Sequence, residues 1–212
     1  MTDTTHSQPL SIAVYGASGM VGSRIAAEAA ARGHRVTGIS RRGDTDLPGV
    51  TARAGDLADA ADVRAVAAGH DVVVSATGPS RTGAPHSEWL DAVDTLIANA
   101  GSARILFVGG AGSLLLPDGS RLLDSPEFPA EYKAEALSGA DALDRFRAAP
   151  EDVDWTFVSP APVIAPGERT GAHRTGGDEV IGDHVTAEDY AAAMVDEIEA
   201  PQHRRARFTV AS

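Results

Sequence analysis

The sequence predicts a doubly wound α/β fold in three layers, a parallel sheet with helices on both faces. Three observations lead there. Short apolar runs rich in β-branched residues alternate with longer stretches of helical spacing along the chain. The runs are apolar at successive positions, as in strands covered on both faces, and helical crossovers between them imply parallel pairing. The first run also ends in a glycine cluster that opens straight into a helical stretch. At 212 residues the chain is long enough for one such domain and short for two.

Residues 1–9 read as a disordered tail and 10–212 as one domain. LSIAVY at 10–15 is a buried strand. Over 20–32, Val21, Ile25 and Ala29 recur one turn apart, and Gly33 stops that helix. RVTGIS at 35–40 and VTARAGD at 50–56 are the second and third strands, followed by an Ala-rich helix near 58–68. HDVVVSAT at 70–77 is a strongly β-branched fourth strand. The helix over 87–101 carries Trp89, Val93, Leu96 and Ile97 near one face, and ARILFVGG at 103–110 is the fifth strand. A helix over 129–149 starts near Pro129 and leads to a sixth strand at 153–160, where Trp155 and Phe157 point to the core. Residues 161–185 are rich in Gly, Pro and charge; they read as a long loop acting as a substrate-side lid or pocket wall. Thr186 caps a last helix over 186–200, and ARFTV at 206–210 reads as a final edge strand.

Composition narrows the function. Asp plus Glu number 30 against 18 Lys plus Arg, a formal charge of −12, which repels nucleic acid. There is no cysteine, so disulfides, thiolate metal sites and a cysteine nucleophile are excluded. Histidines such as His86, His173 and His184 form no metal-ligand spacing and read as surface residues. No apolar run reaches the length of a membrane span, and the start MTDTTHSQ lacks the pattern of a signal peptide, so a cytoplasmic protein is expected, monomeric or homodimeric. Of the 18 basic residues only Lys133 is a lysine. In a chain that otherwise uses Arg, this marks either a site needing a compact point charge or a chance survivor.

The strongest motif is Gly16-Ala17-Ser18-Gly19-Met20-Val21-Gly22, in strand–turn–helix context. A dinucleotide diphosphate needs main-chain N–H groups at a helix start and glycines where the backbone turns tightly. A plain βα turn packed through three glycines is the bland alternative. After the second strand stand Arg41 and Arg42, where a free ribose 2′-hydroxyl would favour an acidic residue. Two guanidinium groups there fit a 2′-phosphate, hence NADP(H) over NAD(H); two solvated loop arginines are the alternative. Asp56 and Leu57 close the third strand, where adenine would lie; Ala76, Thr77 and Gly78 close the fourth and Gly110 the fifth. Pro160, Ala161 and Pro162 follow the sixth and could wall a pocket.

Together these features resemble the short-chain dehydrogenase/reductase superfamily, in its atypical or extended branch. RILFVGGAGS, EYKAEAL and DWTFVSPAPVI are similar to stretches of small NAD(P)H-binding reductases of the NADH-flavin reductase type, themselves similar to flavin and biliverdin reductases. The resemblance spans nearly the whole chain and implies a Rossmann fold, a nicotinamide cofactor and hydride transfer. It also implies Ser113, Tyr132 and Lys133 as catalytic candidates, with Lys133 on the nicotinamide ribose. The superfamily's Tyr-x-x-x-Lys motif is broken, however. Counting back from Lys133 reaches Pro129, and counting forward from Tyr132 reaches Ala136. Tyr132 could equally be a packed helix-start aromatic, and Ser113 a loop cap. A broken motif suits hydride transfer to a flat conjugated acceptor such as a flavin, quinone or tetrapyrrole, which needs stacking more than a dedicated acid. The alternative is a non-catalytic NADP(H) redox sensor of the NmrA type. A sugar-nucleotide epimerase or dehydratase, which needs the intact Tyr/Lys pair, is disfavoured.

Overall fold

The structure, a computed structural model, describes residues 8–212. Most of the expected tail lies outside them, and Gln8 and Pro9 carry no regular structure. Ten strands are present: β1 (Ser11–Tyr15), β2 (Arg35–Ser40), β3 (Val50–Ala54), β4 (Val72–Ser75), β5 (Arg104–Val108), β6 (Trp155–Pro160), β7 (Val163–Ala165), β8 (Arg174–Gly176), β9 (His184–Thr186) and β10 (Ala206–Ala211). Five α-helices accompany them: α1 (Met20–Ala31), α2 (Ala60–Ala67), α3 (His86–Asn99), α4 (Ala130–Arg147) and α5 (Ala187–Glu199).

Eight strands form one sheet in the order β3-β2-β1-β4-β5-β6-β10-β8, parallel except for β8 against β10. The chain winds outward from β1 in one direction through β2 and β3, then returns to place β4 on the other side of β1. This is the Rossmann arrangement, and the reversal opens a crevice at the carboxyl ends of β1 and β4.

The continuous apolar runs follow from burial on both faces. Ile12, Val14, Val74, Leu106, Val158 and Phe208 pack with Ile25, Ala29, Tyr190 and Met194 of α1 and α5. The intervening residues Ala13, Val73, Ile105, Phe107 and Phe157 pack with Val63, Val93, Leu96, Leu143 and Phe146 of α2, α3 and α4. Phe107 stacks on Phe157 at 5.2 Å between ring centroids and meets Phe146 at 4.9 Å. Each such ring contributes about 1.5–3 kcal/mol through burial.

Two expectations are corrected. β10 is an inner strand, because β8 pairs outside it. The stretch 161–185 is not a continuous loop: β7 and β9 form a small parallel sheet and β8 joins the large one. Strands of three residues are too short to show a period. The middle of this stretch is tied to the outer helices. Arg169 pairs with Glu28 of α1 at 2.6 Å, and Asp189 of α5 accepts from Thr170 Oγ1 at 2.6 Å and Gly171 N at 2.8 Å. Thr186 caps α5 by accepting from Asp189 N at 3.0 Å. Leu122–Asp124 adds a single 3-10 turn that the sequence reading lacks.

Candidate functional site

The turn after β1 is shaped by close backbone approach. Gly16 has φ +80°, and a Cβ there would lie 2.6 Å from the Ala76 carbonyl oxygen. A Cβ on Gly22 would lie 2.2 Å from the Gly16 oxygen. Only glycine lets the first turn of α1 press this tightly against the ends of β1 and β4. Gly19 caps α1 without a side-chain bond, and α1 has no acidic residue in its first turn. The other four helices all have one there: Asp62, Glu88, Glu131, and Glu188 with Asp189. The N–H groups at the start of α1 therefore lack the negative charge that a helix dipole attracts, beside exposed Ser18, Gly19 and Met20 and half-buried Val21. A diphosphate fits this cradle.

Beyond it, Arg41, Ala54, Gly55, Asp56, Asp59 and Asp62 line an open depression of about 450 Å³. The two arginines part company here. Arg42 pairs with Asp44 at 3.0 Å on the surface, while Arg41 faces the depression and has no ion-pair partner among the described residues. Leu57 is buried in the core, so it offers only backbone to a ligand. The turn is braced by Asp62, whose carboxylate accepts from the Tyr15 hydroxyl at 3.0 Å and from Asp56 N at 3.1 Å, and pairs with Arg53 at 2.6 Å. Burial, and then the Asp62 charge, raise the Tyr15 phenol far above its ordinary range, so it stays a donor.

On the other side of the crevice, Thr77 Oγ1 accepts from Trp89 Nε1 at 3.1 Å and lies 3.1 Å from Ser75 Oγ. Trp89, expected to be purely a core residue, thus also fixes the turn that carries Ala76, Thr77 and Gly78. His86 is not a surface histidine. It bridges Ser138 Oγ of α4 at 2.8 Å and the Ser80 carbonyl at 3.2 Å, pinning the same loop. Gly110 and Gly78 face open space, where an added Cβ would meet nothing. Pro160 is buried in register with Val210, and Val163 just beyond is exposed.

The three catalytic candidates stand in different surroundings. Ser113 Oγ accepts from Arg207 Nη1 at 2.9 Å, in a cavity of about 180 Å³ that also involves Leu143, Arg147 and Asp178. Ala140 lines that cavity too, and it lies eight residues, about 12 Å, down α4 from Tyr132. Tyr132 is 59% exposed in the first turn of α4, and exposed Lys133 diverges from it by about 100° around the helix. Ala136 packs on the β5 turn: a Cβ on Gly112 would come within 2.7 Å of the Ala136 Cβ. Sequence reasoning also missed Asp62, since a carboxylate working through Tyr15 carries no local motif.

A family model described as NAD(P)H-binding matches residues 16–201, from the glycine turn to the end of α5. This chain belongs to the NAD(P)H-binding family. Three solved structures similar to it come from Burkholderia pseudomallei (46% identity, 96% of this chain and 100% of that one, TM-score 0.86), Bacteroides thetaiotaomicron (36%, 96% and 97%, 0.85) and Streptococcus pneumoniae (33%, 95% and 98%, 0.82). They are named, each with the qualifier putative, as an exported protein, an epimerase and an NADH-flavin reductase. In this family member, no helix among the described residues is long and apolar enough to cross a membrane.

Proposed function

We propose that the protein is an NADPH-dependent reductase that delivers hydride to a flat conjugated acceptor such as a flavin or quinone. The observation that carries this reading is the uncapped start of α1, packed through Gly16 and Gly22 at the β1–β4 crevice beside the uncommitted Arg41. Met20, Val21 and Gly19 would hold the diphosphate, Arg41 the 2′-phosphate, the Asp56 turn the adenine, and Lys133 the nicotinamide ribose. Ala76, Thr77, Gly78, Gly110 and Pro160 would border the cofactor's nicotinamide half, with residues 160–163 as the pocket wall. When bound, the coenzyme supplies the hydride; the chain supplies orientation and an open, flat approach over glycine turns. Ser113 serves its loop, through Arg207, in this scheme.

The name of the S. pneumoniae relative supports a reductase; that of the B. thetaiotaomicron relative points to epimerisation. The broken motif supports the reductase, because the epimerases of the superfamily this chain resembles rely on the Tyr/Lys pair, and Pro129 and Ala136 stand in its place. The test is NADPH oxidation with FMN, riboflavin and a naphthoquinone, monitored by absorbance, alongside NADH. Turnover with at least one acceptor, faster with NADPH, is the expected result. No rate above background with any of them would sink the reading.

A further inference from the structure

Two turns that would grip neighbouring parts of one ligand, its diphosphate and its adenine, are joined by a single carboxylate. Tyr15 is the residue immediately before Gly16, and its ring is buried. Asp56 opens the turn after β3. The Asp62 side chain, on α2 and 14% exposed, holds both through Oδ2: the Tyr15 hydroxyl at 3.0 Å and Asp56 N at 3.1 Å. Arg53 neutralises the other oxygen at 2.6 Å. Gly55 makes room for this arrangement, since a Cβ there would lie 2.5 Å from Asp62 Oδ2. The backbone of Gly55 has no left-handed φ to explain a glycine; the close carboxylate, with Ile39 Cγ2 at 2.8 Å from the same point, does.

We infer that Asp62 is a positioning residue for the adenine half of the coenzyme, locking the Asp56 turn to the diphosphate turn through Tyr15 and through the space left by Gly55. This rests on the reductase reading only in that a dinucleotide is bound. A charge-assisted bond inside a half-buried site holds geometry well, and preorganised turns bind without an ordering cost. The linkage should therefore appear in affinity for the adenine end and leave the hydride step alone.

The experiment compares the parent with Tyr15→Phe, Asp62→Asn and the double variant, titrating NADPH and 2′,5′-ADP by calorimetry and measuring KM and kcat. Each single change is expected to weaken both ligands by about tenfold, with kcat at saturating NADPH within about twofold. The double variant should bind no worse than Asp62→Asn alone, because both changes cut one linkage. Affinities for both ligands within twofold of the parent, or a kcat that falls as far as KM rises, would overturn the inference. If Asp62→Asn does not fold, Tyr15→Phe and Gly55→Ala carry the same test, the latter by displacing the carboxylate. Failure of the parent itself to bind NADPH would overturn the reductase reading; a parent that binds beside unaffected variants overturns only the role of Asp62.

Discussion

Arg104, at the amino end of β5, is buried against Glu197 of α5, whereas Arg41, at the carboxyl end of β2, faces an open depression. The contrast extends across the sheet. At the amino edge, Glu197 also accepts from His203 Nδ1 at 2.7 Å and from Gln202 N at 3.1 Å. Asp154 pairs with Arg204, and Arg205 donates to the carbonyls of Pro150 and Val153. Asp71 accepts from Ser11 N at 2.8 Å, and His34 lies 3.0 Å from Glu199. At the carboxyl edge side-chain bonds brace turns, as Trp89 does for Thr77 and Asp62 for Asp56, while Arg41 and Lys133 remain exposed. At the amino edge the buried Arg104 is paired; at the carboxyl edge, beside the Arg53–Asp62 pair, Arg41 has no ion-pair partner among the described residues. Stability and binding are thereby separable by mutation.

The largest effect that separation predicts is at Arg104 and Glu197. Removing either partner leaves a buried charge unpaired, and Glu197→Ala should lose about 3–5 kcal/mol in urea unfolding. Coenzyme affinity per folded molecule should not change; a weakened Kd would break the separation. The pair also has a pH signature. Burial works to raise the Glu197 carboxyl, but hydrogen bonds from His203, Arg104 and Gln202 outweigh it and hold it below the ordinary range. A depressed folded-state value contributes stability that is complete above the unfolded value, about 4.3, and is lost as pH falls through the folded one. The stability gap between the parent and Glu197→Gln should thus be constant near neutrality and narrow below about pH 4.

At the opposite edge, Gly22→Ala must displace the Gly16 carbonyl, an overpacking cost of about 1–3 kcal/mol. Calorimetry should show NADPH bound about 10- to 100-fold more weakly. Arg41→Ala sharpens the comparison further: about tenfold weaker NADPH with NADH unchanged, while Arg42→Ala, whose surface pair with Asp44 is weak, stays within about twofold. The smallest effect is expected at Tyr132. Without a lysine at 136, Tyr132→Phe should keep kcat within about twofold in steady-state assays, whereas a true general acid would cost at least about a hundredfold.

The helices are legible from their period, the first six strands from short runs rich in β-branched residues, and the glycine turn because its spacing is local. The short strands β7, β8 and β9 were not legible: three residues carry no period, and their pairing is set by partners distant in sequence. The glycine turn and the other strand-end turns are readable from local sequence, but the side chains that brace them are not. Nothing local links Asp62 to Tyr15, 47 positions away, or His86 to Ser138, 52 away. Ser113 shows the converse case. The resemblance implies it as a catalytic candidate, and its Oγ accepts from a buried arginine 94 residues later.

The bidentate grip of Arg169 on Glu28 means that the late part of the chain clamps the very helix whose start would meet the coenzyme. The first six strands and their helices are therefore no detachable module. A fragment ending at Pro160 would expose the Ile25–Ala29 flank of α1 to water and let its opening turn drift, so grafting this site elsewhere requires carrying the closing quarter of the polypeptide along with it.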